Sequence, residues 1–399
     1  MMSGSWVCCQ LGAREHYAVA RAVHSRGGLQ ALVTDAWVPP GSAWNLVPGA
    51  ERLRERYSAD LATASVVDFT SALVRREAVW RLRRQSGWPL MIARNEWFMA
   101  RAAAAVSRMV DVPVVFAHSY AALQIFTAAK AKGARTILGQ IDPGPRHLDI
   151  LRNVAARWPE FGPALPEPET AYFDAWRQEC RLADRIVVNS EWSRALLMEA
   201  GIDSGKIAVV PLPYETDEAE GAFERRYPEA FSPMRPMRLL FVGSVATFKG
   251  VPSLLEALEL LTDLPIEVRL AGPIAATIPD RFAGDRRVRI LGALSRSAVM
   301  AEYRDADVLV FPSHSDGFGM AQVEARAWHL PVIASPFAGR VVEDGVDGVL
   351  LPEITATAIA SAIRRLHAPR VLTQLAGGAT HQQTLAAFGE ALVRLAGSR

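Results

Sequence analysis

Short apolar runs alternate with amphipathic stretches along the whole chain. Trp6–Gln10 is apolar, Leu11-Gly12-Ala13 reads as a turn, Glu15–Ser25 as a helix closed by Gly27 and Gly28, and Leu29–Thr34 as the next strand. A strand, a Gly turn and a helix in that order predict a doubly wound α/β unit. The pattern continues through a strand at Val112–Ala117, a helix at Ala121–Lys132 and a strand at Thr136–Ile141. A loop of Asp142, Pro143, Gly144 and Pro145 comes next, and further strands fall at Arg185–Val188 and Ile207–Val210. Pro211–Met237 then breaks the periodicity, being rich in proline and charge, and reads as a connector. After it the pattern restarts: a strand at Arg238–Val242, a loop at Gly243–Gly250, and a helix at Val251–Leu261 with Pro252 in its first turn. Strands follow at Ile266–Ala271, Val288–Leu291, Val308–Phe311 and Pro331–Ala334, and Thr384–Leu395 reads as a closing helix. The expected organisation is two Rossmann-like α/β domains, 1–210 and 238–380, joined by a linker at 211–237 and followed by a terminal helix within 381–399, with a cleft between the domains.

Length agrees, because 399 residues exceed what one core sustains, about 250–300. Half the residues are hydrophobic and the mean hydropathy is +0.10, which excludes a disordered chain. A formal net charge of +2 is too balanced for a nucleic-acid binder. Three cysteines supply neither a disulfide framework nor a metal-ligand spacing, so a reducing compartment is expected. No apolar run approaches the roughly 18 residues of a membrane span, and the opening MMSGSWVCCQLG lacks a secretory signal's basic region and cleavage site. The expectation is a cytoplasmic protein. Arg75–Arg108 adds one qualification: eight arginines there face only Glu77 and Glu96, with Trp80, Trp88 and Trp97 among them. Such a segment either lies on the inner face of an anionic membrane or is a helix pair with its tryptophans packed inward.

The chemistry concentrates in Phe311–Ser335, FPSHSDGFGMAQVEARAWHLPVIAS. A strand ends at Phe311, a loop holds Gly317 and Gly319 around Phe318, and a helix starts near Met320. Glycines let backbone approach a ligand closely, and a helix N-terminus offers unpaired N–H groups suited to a diphosphate. Asp316 before the helix and Glu324 one turn inside it are acceptors for sugar hydroxyls. A Gly-X-Gly before a helix also occurs in unrelated loops. A second loop, FVGSVATFKG at Phe241–Gly250, places Lys249 where an ammonium meets diphosphate oxygens. Two such loops at the carboxyl ends of strands in one open sheet mark the expected ligand position.

The ordered set VGS…KG, LAG, LG…Y…ADVLVFPS, D-x7-E with an internal GFG, PVIAS and G…EDGVDGVLL resembles the retaining GT-B glycosyltransferases of glycosyltransferase family 4. The likeness covers Arg238–Pro352, with weaker extension to residues 182–197 and 206–215. It implies a GT-B fold, the terminal helix returning to the first domain, and transfer of a hexose-like sugar from a nucleotide diphosphate, UDP or GDP foremost, to a hydroxyl acceptor. The acceptor would be a glycan, a lipid-linked glycan or a small molecule, and the anomeric configuration would be retained. The leaving diphosphate would help deprotonate the acceptor, without a metal. By the same resemblance Asp316 contacts the donor sugar and Glu324 the ribose. Gly317, Phe318 and Gly319 meet sugar and diphosphate, Lys249 neutralises the diphosphate, Gly243 and Ser244 lie under the phosphates, and the base lies near Ile290–Gly292. Two positions depart from the family: Asp316 is one methylene shorter than the usual Glu, and Ser244 stands where Arg is frequent. Asp305-Ala306-Asp307 sits at the amino end of its strand, away from the ligand, and reads as a strand start and not a metal site.

On the acceptor side, the turn after the first strand corresponds to Gly12, followed by Arg14 and His16, the candidate acceptor-binding residues. Relatives place a His after a first-domain strand, where this chain has Gln140–Asp142. Asp142, His118 and His147 remain open as the group that assists catalysis, Asp142 being equally a turn former. An epimerase or hydrolase of the same fold, or a non-catalytic nucleotide-sugar binder, would use the same motif. Donor turnover with and without an acceptor separates them.

Overall fold

The computed structural model describes residues 5–46, 53, 55–163, 170–378 and 383–397. Residues 1–4 and 398–399, at the outer bounds expected for the first domain and the terminal helix, and 381–382 lie outside the described residues.

Two parallel sheets organise the chain. The first has the order β3-β2-β1-β4-β5-β6-β7: β1 Trp6–Gln10, β2 Leu29–Thr34, β3 Val66–Asp68, β4 Val114–His118, β5 Arg135–Gly139, β6 Arg185–Val188 and β7 Ile207–Val209. The second runs β10-β9-β8-β11-β12-β13: β8 Met237–Val242, β9 Ile266–Ala271, β10 Val288–Gly292, β11 Val308–Phe311, β12 Val332–Ala334 and β13 Gly348–Leu350. This is the GT-B architecture of two Rossmann-like domains. The central strands are buried along their length, because helices cover both faces. Each sheet reverses its strand order between its first and fourth strands, β1/β4 and β8/β11. Ligands bind at such switch points, outside the carboxyl ends of the strands. The loops after β1, β8 and β11 meet across one cleft.

Three differences from the sequence expectation have physical causes. The first helix begins at Ala18, not Glu15, because Glu15, His16 and Tyr17 hold left-handed backbone angles (φ 53°, 48° and 60°). The helix Pro145–Arg157 and the turn after it pack Val154, Trp158 and Phe161 into the core of the second sheet. Trp158 donates to Glu256 at 2.7 Å, and the amide of Thr277 donates to the Phe161 carbonyl at 2.8 Å. A first-domain segment is thereby part of the second domain's packing. The stretch 211–237 is fastened: the Arg225 guanidinium donates to the carbonyls of Tyr303, Arg304, Ala306 and Trp328. The final helix, Leu385–Gly397, inserts Phe388 and Leu392 beside Tyr17, Ala18 and Val23 of the first domain.

The tryptophans of residues 75–108 turn inward. Trp80 is buried edge-on to Trp97 at 6.4 Å, and Trp88 packs on Tyr172 at 5.2 Å. Arg94 makes two hydrogen bonds to Glu77. The segment forms a helix pair with its tryptophans packed inward. No helix among the described residues is long and apolar enough to cross a membrane.

Candidate functional site

A cleft of about 820 Å³ lies between the two switch points. Its second-domain wall is built from Val242, Gly243, Lys249, Phe311, Asp316 to Ala321, and Glu324. Lys249 ends a single helical turn, Thr247–Lys249, closed by Gly250. Gly250 has φ +76°, and a Cβ there would lie 1.9 Å from the Pro312 carbonyl, so only glycine lets the two loops touch. That contact brings the Lys249 ammonium onto the Asp316 carboxylate as an ion pair. No side chain caps the helix Met320–Ala327, and its first residues line the cleft, so its N–H groups are available to an anion. Glu324 accepts from the Tyr303 hydroxyl on Oε2 at 2.8 Å. Burial raises its carboxyl above the usual range, against the lowering effect of that hydrogen bond and of Arg296.

The glycine loop is held from the first domain. Ser190 and Ser193 donate to the Gly317 carbonyl at 2.7 and 3.2 Å. Ser315 Oγ lies 2.7 Å from His147 Nδ1 and accepts from Trp192 Nε1 at 3.0 Å. Phe318 is buried against Leu212 and Val323. Ser244 does not line the cleft, although Gly243 beside it does.

The facing wall is Leu11 to Glu15, Glu55, Arg56, Ile141 and Asn189 of the first domain, with Leu212 from the connecting stretch. Gly12 has φ +81°, its amide donates to Asp35 at 2.8 Å, and Arg56 packs where its Cβ would be, 2.7 Å away. Gln10 donates to the Arg14 carbonyl at 2.7 Å, anchoring the left-handed turn. Gly12 and Arg14 therefore stand in the cleft wall, whereas His16 is exposed and outside it.

The three first-domain candidates are arranged differently from one another. Asp142 Oδ1 accepts from the Tyr120 hydroxyl (2.8 Å), the Gly144 amide (2.7 Å) and Gln140 (3.3 Å), which is turn formation, and Ile141 reaches the cleft in its place. His118 is buried at the end of β4 and lines a separate small cavity, and burial lowers its pKa to about 3. His147 is tied to Ser315 and serves the domain contact.

Two carboxylates were not foreseen as site residues. Glu15, half-buried, faces the cleft, and burial pushes its carboxyl up to about 7. Glu179 is buried and accepts the amides of Tyr120, Ala122 and Leu123 at 2.7 to 3.1 Å, fixing the backbone whose Tyr120 side chain holds Asp142. Neither carried a local signal. Glu15 sat where a helix was expected, and Glu179 meets partners nearly sixty positions away. Among the described residues no three His, Cys, Asp or Glu side chains gather as a metal site. Asp307 is committed to Arg235, in two hydrogen bonds of 2.7 and 2.8 Å, and to the Arg238 amide.

Residues 236–368 match the family model described as glycosyl transferases group 1, and residues 50–218 match glycosyltransferase family 4. The D-inositol 3-phosphate glycosyltransferase of Xylanimonas cellulosilytica is 29% identical over 71% of this chain and 64% of its own length. That of Acidothermus cellulolyticus is 28% identical over 78% and 66%, and that of Kineococcus radiotolerans 32% over 48% and 50%. The chain thus spans between half and just under two thirds of these relatives. Among solved structures, HepE from Anabaena in complex with UDP and glucose superposes with a TM-score of 0.62 at 15% identity, covering both chains in full. Sucrose-phosphate synthase from Thermosynechococcus elongatus gives 0.64 at 16%, covering 98% of this chain and 96% of that one. At such identities the likeness is one of fold.

Proposed function

We propose that this chain, which belongs to the glycosyltransferases whose family models match its two halves, transfers a hexose-like sugar from a nucleotide diphosphate to a hydroxyl acceptor with retention of anomeric configuration. One observation carries the reading. A lysine, a glycine loop, an uncapped helix N-terminus and a half-buried carboxylate share one wall of a cleft whose other wall belongs to a second Rossmann-like domain.

In this reading Lys249 and the N–H groups at Gly319–Ala321 take the diphosphate, with Gly243 beneath it. Glu324 accepts the ribose hydroxyls on the oxygen that Tyr303 leaves open, and Asp316 faces the sugar. Lys249 and the helix dipole meet the charge of the leaving group, so the step needs no metal. Asp316 holds Lys249 before the donor binds and releases it to the diphosphate. The domain contact through Ser190, Ser193 and Ser315 orders the glycine loop as the cleft closes. UDP is the first nucleotide to test, since solved relatives of this fold carry UDP and UDP-glucose. D-inositol 3-phosphate, in the name of the sequence relatives, is the first acceptor.

A thermal-shift screen against UDP, GDP, ADP, TDP and CMP tests the donor site. A ligand at a hundred times its dissociation constant adds about 2.7 kcal/mol of stability. One diphosphate should raise the midpoint and Glu324→Ala should abolish the rise. No shift with any of them would remove the donor assignment. The anomeric configuration of the product, by NMR, tests retention.

A further inference from the structure

The arginine-rich segment forms two helices, Thr70–Leu82 and Gly87–Arg108, joined by a short turn. Along the helices the arginines are engaged. Arg94 bonds Glu77, Arg76 lies over the Trp80 ring at 5.5 Å, and Arg101 lies over Trp97 at 5.2 Å. The tip between the helices differs. Arg81, Arg83 and Arg84 are exposed, and their side chains make no hydrogen bond or ion pair among the described residues. Leu82 stands among them, 84% exposed. No acidic residue falls between positions 81 and 88 to neutralise them. Arg84 and Gly87 reverse the chain in left-handed conformations, φ 52° and 60°.

The tip also has a definite place in the fold. The second helix has 22 residues, about 33 Å, yet its buried side chains, Phe98, Met99, Ala102 and Val106, all lie in its second half. Its first half runs past the carboxyl edge of the first sheet. There Trp88 packs on Tyr172 at 5.2 Å, Tyr172 stacks on Tyr120 at 4.8 Å, and Tyr120 donates to Asp142. Tyr120 follows β4 and Asp142 follows β5, so the tip stands at the sheet edge that bears the cleft. Ile141, next to Asp142, lines that cleft.

We propose that Arg81 to Arg84 dock the protein on an anionic lipid surface. The three arginines meet lipid phosphates, and Leu82 enters the acyl boundary. Charge alone suits any polyanion. A leucine held out of the core inside the arginine cluster suits a lipid interface, which takes cations and an apolar side chain side by side. Three arginines contribute roughly a hundredfold to the partition and the leucine about tenfold. Two such signals together give reversible surface binding. A hydroxyl acceptor held in that surface is then presented along the edge that carries the cleft. The docking itself is independent of the sugar-transfer reading.

The test sediments the full chain with vesicles of phosphatidylcholine mixed with phosphatidylglycerol, and with vesicles of phosphatidylcholine alone. The protein should bind the mixed vesicles only, and about 0.5 M salt should release most of it. Reversing the three charges together, Arg81→Glu, Arg83→Glu and Arg84→Glu, should lower the partition at least about a hundredfold. Leu82→Ala should lower it about tenfold. Both variants should keep the wild-type thermal midpoint within about 2 °C, which establishes that they are folded. A wild type that stays in the supernatant with both vesicles overturns the proposal, as does a folded charge-reversed variant that binds as wild type does. Full vesicle binding by Leu82→Ala also overturns it, because the patch then takes any polyanion. Wild-type binding to polyglutamate or an oligonucleotide as tight as to the mixed vesicles has the same meaning. None of these readouts involves turnover, so the docking stands or falls apart from the donor site.

Discussion

The second-domain wall of the cleft comes almost entirely from one strand–loop–helix passage, Phe311 to Glu324, with Val242, Gly243 and Lys249 added from the neighbouring loop. The facing wall is assembled from five separate places: Leu11–Glu15, Glu55–Arg56, Ile141 and Asn189 in the first domain, and Leu212 in the connecting stretch. The first arrangement suits a constant ligand, because backbone N–H groups at a helix start recognise a diphosphate whatever else it carries. The second suits a varying ligand, because scattered loops on a fixed sheet change without disturbing the core. The predictions that follow test whether the two walls divide the work this way.

The largest effect belongs to Lys249. Lys249→Ala removes the ammonium that meets the leaving diphosphate, and kcat with UDP-glucose should fall by roughly 10² to 10³. The variant also leaves Asp316 without its ion-pair partner beside the diphosphate position, so UDP affinity should fall as well. If kcat holds and KM alone rises, Lys249 binds the donor without assisting departure, and the division between the walls weakens.

Next comes the stability of the first-domain wall. Glu179→Ala leaves two buried amides and one part-buried amide without an acceptor and should cost about 3 kcal/mol or more, read as a lowered denaturation midpoint. Burial raises the Glu179 carboxyl to about 7, above its unfolded value. The native state therefore binds more protons between about pH 4.5 and 7, and stability falls as pH rises through that window. Glu15, raised for the same reason, contributes in the same direction. Glu179→Gln should flatten part of that slope, and an unchanged slope would show that Glu179 is not raised.

A smaller effect is expected at Tyr303, whose hydroxyl orients Glu324 from a fully buried position. Tyr303→Phe removes about 1 kcal/mol of hydrogen bonding, so UDP should bind several-fold more weakly while kcat at saturating donor holds. Because that bond lowers the Glu324 pKa, its loss should also move the acid limb of UDP binding to higher pH.

The two walls were also unequally legible. Eleven of the thirteen strands among the described residues followed from short apolar runs, the exceptions being the short β3 and β13. In the second domain, strand end, glycines, helix start and acid spacing lie within a dozen residues, so local residue types carry the geometry. In the first domain they do not. Nothing in the letters Arg14-Glu15-His16-Tyr17 demands three left-handed residues, and a helix was the natural expectation. The turn is held by a local bond from Gln10 to the Arg14 carbonyl and by the burial of Tyr17, which is a tertiary fact. Likewise the helix at Pro145–Arg157 belongs by sequence to the first domain and by packing partly to the second, and only its contacts reveal that.

The smallest expected effect discriminates most. Asp142 stands where relatives place a His after a first-domain strand, yet its Oδ1 accepts from Tyr120, Gln140 and Gly144, and Ile141 takes its place in the cleft. An asparagine presents the same Oδ1 to Tyr120, Gln140 and Gly144 and loses only charge. If Asp142 shapes the turn, Asp142→Asn should cost under about 1 kcal/mol of stability and leave turnover within about threefold. If it is the base, turnover should fall by about a hundredfold or more. A large loss at Asp142 would return the chemistry to the turn after β5, and a small one would leave that turn as the scaffold from which Ile141 reaches the cleft.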